Sequence, residues 1–123
     1  MPENLSPETL LKIAKGILED RKAVDVVVID LAGKSTIADY MVVATGQSNR
    51  QVTALAENLL QGYKALGLIG IVPEGVRQGD WVLIDAGDVI IHLFRPEVRE
   101  FYNLEKMWGV SHEGADWTSG ANV

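Results

Sequence analysis

Asp80-Trp81-Val82-Leu83-Ile84-Asp85-Ala86-Gly87-Asp88, followed at once by Val89-Ile90-Ile91-His92-Leu93-Phe94, is the stretch on which the fold turns. Two short runs rich in β-branched residues flank a turn made of Gly and Asp, and this reads as two strands joined by a tight connection. Strand alternation puts Trp81, Leu83 and Asp85 on one face and Val82, Ile84 and Ala86 on the other. A strand pair with apolar residues on both faces needs a sheet to sit in. The remainder of the chain is therefore expected to supply further strands and covering helices.

Working outward, Arg95-Pro96-Glu97 starts a short final helix carrying Val98, Phe101 and Tyr102, with Leu104 and Trp108 nearby. Beyond Gly109 the residues are small and polar, and the reading is of a frayed tail over 110–123. Upstream, Leu68 to Pro73 is expected as a strand, reached from an earlier strand by a right-handed parallel crossover. The helix of that crossover starts at Ser48. Gln51 three residues later completes a capping box, Val52, Leu55, Ala56, Leu59, Tyr63 and Leu66 form its apolar face, and Gly67 ends it. Before it, Val24–Leu31 and about Tyr40–Thr45 are apolar runs of strand length with burial expected on both faces. The first helix begins at Ser6-Pro7-Glu8 and shows Leu10, Ile13, Ala14, Ile17 and Leu18 at helical spacing.

The order is α-β-β-α-β-β-β-α, which predicts an α/β domain with a mixed, mostly five-stranded sheet and flanking helices. The chain has 123 residues, 47% hydrophobic and 23% charged, the size and balance of one domain over residues 1–109. No apolar run is long enough to span a bilayer and no secretory signal is visible, so a cytoplasmic protein is expected. There is no Cys, hence neither disulfide nor thiolate metal site. The formal net charge of −6, with 11 basic residues against 17 acidic, disfavours phosphate-dominated contact with nucleic acid and suits a basic protein surface.

Three places carry residues capable of chemistry. Asp39, Asp85 and Asp88 could hold a Mg²⁺ for nucleotidyl transfer, but Asp85 and Asp88 are three apart across a Gly, whereas paired metal ligands usually alternate on one strand. Turn formation explains both. Gly46-Gln47-Ser48 could cradle a phosphate at a helix start, yet it lacks the glycine-rich loop and Lys of a nucleotide fingerprint. His92 has no second His or Cys placed to complete a metal site. Trp81 is the residue least explained by packing, and an aromatic at a strand mouth is a typical interface anchor.

Seven blocks in register resemble the ribosomal silencing factor family, also called Iojap-like, over about residues 5–109. They are Val28-Ile29-Asp30-Leu31 with Gly33-Lys34-Ser35; Ile37 through Gly46; Ser48 with Arg50-Gln51-Val52; Glu74-Gly75; Asp80 through Asp85; Gly87 through His92; and Arg99 through Leu104-Glu105-Lys106-Met107-Trp108. The resemblance implies a nucleotidyltransferase-like fold, frequent homodimers, no enzymatic activity and no cofactor. It implies binding to the large ribosomal subunit through its ribosomal protein fourteen, which blocks subunit joining and represses translation when nutrients are short. It places the contact surface on Trp81, Ala86 and Tyr102, Ala86 being smaller than the apolar residue often found there; Asp85 and Asp88 flank that surface at the turn. The alternative is a Mg²⁺-dependent nucleotidyltransferase.

Overall fold

The structure is a computed structural model that describes residues 5–102. Its elements run α1 (Pro7–Asp20), β1 (Val24–Asp30), β2 (Tyr40–Thr45), α2 (Asn49–Ala65), β3 (Trp81–Asp85), β4 (Val89–Phe94) and α3 (Pro96–Tyr102). The expectations for the segment after Tyr102, up to Trp108 and through the tail, lie outside the described residues.

Both long helices start at the predicted caps, but the predicted capping box is only half made, because the Gln51 side chain accepts from Gln47 N and not from Ser48 N. The Ser6 hydroxyl accepts from Thr9 N (3.1 Å) with Pro7 at the first turn, and the Ser48 hydroxyl accepts from Gln51 N (3.1 Å). They end on the same motif with different residues. Ala23 N reaches back to Leu18 O and Lys22 N to Glu19 O; Leu68 N reaches Tyr63 O and Gly67 N reaches Lys64 O. The left-handed position is Gly67 in α2 but Lys22 in α1. The helices pack side by side. Gly62 lets Ile17 approach where a Cβ would collide, and the buried Tyr63 hydroxyl donates to Leu10 O at 2.9 Å.

The sheet has four strands in the order β1-β2-β4-β3. β2 pairs antiparallel with β1 and parallel with β4, and β3 pairs antiparallel with β4. This corrects the expected five-stranded sheet. Leu68–Pro73 forms no strand; its end meets the sheet only at the Glu74–Leu83 bridge. Gly70, at φ +86°, breaks the run, and although Leu68 is buried, Ile69 and Val72 are 72% and 79% exposed. The crossover from β2 through α2 therefore reaches its parallel partner at β4, not at residues 68–73.

The central strands β2 and β4 are buried on both faces, as their unbroken apolar runs require. One face, with Val42, Ala44, Val82, Ile84, Ile91 and Leu93, packs under α1 and α2. The other carries Ile29, Met41, Val43 and Phe94, with Val27, Trp81, Ile90 and Val98 half-buried against them.

Candidate functional site: the Trp81 face and its acidic rim

Residues 74–80 set the mouth of β3. Glu74 and Leu83 exchange both backbone hydrogen bonds at 2.9 Å. Gly75, at φ +86°, lies so close under the Trp81 carbonyl that no side chain would fit. Asp80 Oδ1 accepts from Asn49 Nδ2 (2.9 Å) at the start of α2 and from Arg95 Nε (2.8 Å) after β4. Trp81 thus leaves a loop anchored to α2, to β4 and to its own strand.

On the sheet, Trp81 stands directly opposite Phe94, and Leu83 opposite His92. The Trp81 ring lies 5.0 Å from that of Phe94, tilted by 40°. Its Nε1–H reaches diagonally to donate to His92 Nδ1 at 2.9 Å. His92 is only 8% exposed, and its ring is nearly parallel to that of Phe94. Burial pushes its pKa down to about 4, so at neutral pH the imidazole is uncharged, with its proton on Nε2. The bond to Trp81 depends on a register that spacing alone does not reveal.

Asp85 ends β3, about 13 Å along the strand from Trp81. Its Oδ1 accepts from Gly87 N at 2.9 Å, which is the turn-forming use of an Asp. Asp88 is exposed, and its carbonyl accepts from Asp39 N and Tyr40 N, tying the turn to the start of β2. Ala86 is 5% exposed and belongs to the core beneath α1 and α2. It seats the turn from the side opposite Trp81. Tyr102 closes α3, and its side chain lies outside the described part of the structure.

Composition alone does not show that the acids gather at one end of the sheet. β1 ends at Asp30, β2 begins after Asp39, β3 ends at Asp85 and β4 begins after Asp88, and the pairing places all four at the same edge. The Tyr40 phenol there is pushed upward, first by desolvation and then by the carboxylates of Glu8, Asp30 and Asp39. The site is therefore an aromatic patch at one end of a half-covered sheet face and an acidic rim at the other. At Gly46-Gln47-Ser48 the helix start is closed internally, since Gln51 Oε1 accepts from Gln47 N at 2.6 Å.

The family model described as ribosomal silencing factor during starvation matches residues 4–121. The ribosomal silencing factor of Zymomonas mobilis is 56% identical over 111 residues, covering 89% of this chain and 83% of that protein. A crystal structure from Chromobacterium violaceum superposes with a TM-score of 0.82 at 41% identity, covering 86% of this chain and 88% of that one. A more distant relative, named mitochondrial assembly of ribosomal large subunit protein 1, from Mus musculus, is 36% identical over 95 residues, 75% of this chain and 42% of that protein.

Proposed function

The chain belongs to the ribosomal silencing factor family, and from that premise we propose that it docks on the large ribosomal subunit and represses translation by blocking subunit joining. The partner on the subunit is a basic protein surface, ribosomal protein fourteen, engaged in the cytoplasm when nutrients are short. Trp81 is the anchor, Asp85 and Asp88 form the charged flank, Ala86 seats the turn between them, and Tyr102 extends the patch. The chain acts by occupancy, without catalysis and without a cofactor, on a nucleotidyltransferase-like fold, and it can pair as a homodimer.

One observation carries the reading: a partly buried indole set on an apolar sheet face whose far end carries Asp30, Asp39, Asp85 and Asp88. An anchor of this kind gains its energy by desolvation in a partner pocket, and the rim selects a positive partner by steering. Contact with RNA would call for the opposite charge.

Co-sedimentation of the full chain with purified large subunits on sucrose gradients tests this. Trp81→Ala should lose about 2 kcal/mol of binding, a factor of roughly 30 in affinity. Retained binding at wild-type strength in a folded variant would overturn the docking assignment. Raising salt should slow association more than it speeds dissociation.

A further inference from the structure

We propose that His92 is the positioning residue of the docking surface: by accepting the Trp81 indole proton at Nδ1, it holds the indole in the one orientation a partner meets. The proposal rests on the reading of the Trp81 face as the docking site and names what makes that site rigid.

A partly buried Trp at the first position of a strand can turn about its side-chain bonds unless a directional contact fixes it. Phe94 supports its flat surface at 5.0 Å, which limits tilt but not rotation within the plane of contact. The hydrogen bond from Nε1 to His92 Nδ1, at 2.9 Å, is a directional restraint on the ring, because the indole has a single donor and it points one way. The bond is a diagonal one across β3 and β4, with Trp81 facing Phe94 and His92 facing Leu83.

The choice of residue at position 92 supports this role. Its surroundings are Val43 and Leu83 on the adjoining strands, Phe94 and the Trp81 ring. A Leu or Phe would fill such a place without the desolvation cost of a buried imidazole. An imidazole there contributes what an apolar side chain lacks, and its Nδ1 is an acceptor aimed at the indole. Docking with a pre-set indole avoids ordering a large side chain on association, and that ordering otherwise weakens binding by roughly twofold to tenfold.

The test measures affinity of the full chain for purified large ribosomal subunits in Trp81→Ala, Trp81→Phe, His92→Leu, His92→Phe and His92→Asn, and in the double variant Trp81→Phe/His92→Leu. His92→Leu and His92→Phe should each bind roughly twofold to tenfold more weakly. His92→Asn should stay within about twofold of wild type, because its amide oxygen can accept near the place Nδ1 occupied. On the Trp81→Phe background, which has no indole proton to hold, His92→Leu should have no further effect. In ¹⁵N spectra the Trp81 indole cross-peak, identified by its absence in Trp81→Phe, should exchange faster in His92→Leu and at the wild-type rate in His92→Asn. If Trp81→Ala weakens binding while both acceptor-free variants bind like wild type, the positioning role is wrong and the docking face stands. If Trp81→Ala itself binds like wild type, the docking face is wrong. His92→Asn that restores the cross-peak but not the affinity also overturns the proposal.

Discussion

Arg99, in α3, donates from Nη1 to the carbonyl oxygen of Asp25 at 2.6 Å, and the same nitrogen reaches the Thr45 hydroxyl at 2.7 Å. Asp25 is where β1 bulges. Val24 pairs with Thr45 and Val27 with Val43, so three steps on β1 match two on β2, and Asp25 takes φ +51°. A buried guanidinium from α3 thus holds an edge-strand distortion in place, and it fixes α3 to the same end of the sheet as Trp81.

Arg99→Ala should therefore cost about 2–4 kcal/mol in denaturant unfolding, since it removes charge-assisted bonds and leaves the Asp25 carbonyl and the Thr45 hydroxyl short of a donor. Arg99→Lys should recover only part, because an ammonium cannot reproduce the planar fork. Stability within 1 kcal/mol of wild type for Arg99→Ala would mean that α3 is held by its apolar contacts alone.

This contact also shows where sequence reasoning stops. Helix starts were legible because Ser6 and Ser48 act on amides three residues away, within the reach of a local pattern. The strands around Trp81 and His92 were legible as runs, and the Gly87 turn as a turn. The bonds that shape the site were not, since Arg99 and Asp25 lie 74 positions apart and the Trp81–His92 pair follows from a cross-strand register. The fifth strand failed for a different reason. Leu68–Pro73 has the composition of a strand, but Gly70 at positive φ turns the chain, and a burial pattern without a ladder does not make a strand. The acidic rim was hidden in the same way, because Asp30, Asp39, Asp85 and Asp88 converge only once strand directions are known.

The pH dependence of stability should carry the mark of His92. Burial lowers its pKa to about 4 from the ordinary 6.5, and among the described residues those against it (Trp81, Leu83, Val43 and Phe94) carry no charge. Between those values the unfolded chain binds a proton that the folded chain refuses, so stability falls as pH drops from about 6.5 and the loss is complete near pH 4. The difference amounts to about 3 kcal/mol at most. Urea midpoints at pH 7 and pH 4.5 should diverge more for wild type than for His92→Leu, whose comparison removes the contribution of the carboxylates. Equal divergence would show that His92 is protonated as easily in the folded chain as in the unfolded one.

At the end of α1 the chain places Lys22 at φ +67°, the position that Gly67 fills in α2 with the same pair of backbone bonds. A left-handed conformation costs a side chain about 1–2 kcal/mol that glycine avoids, offset in part by the entropy glycine loses on folding. Lys22→Gly should raise stability by about 0.5–1 kcal/mol, and Gly67→Ala should lower it by a similar amount. Thermal unfolding of the two variants should shift in opposite directions, and parallel shifts would refute the shared cap.

Gly75 and Gly33 separate backbone strain from steric collision at the site itself. Both have positive φ, +86° and +83°, but a Cβ on Gly33 meets nothing while one on Gly75 runs into the carbonyl oxygen of Trp81. Gly33→Ala should cost only the conformational term, about 1 kcal/mol. Gly75→Ala adds a clash with backbone that has no flexible end to yield, and relief requires breaking the Glu74–Leu83 bridge or moving the start of β3. Its cost should exceed that of Gly33→Ala by at least about 1 kcal/mol. Because the displaced atom belongs to Trp81, Gly75→Ala should also weaken docking on the large subunit, whereas Gly33→Ala should leave it unchanged. Equal stability losses in the two variants would mean that the 74–80 loop is free to shift, and that Trp81 is placed by its sheet contacts alone.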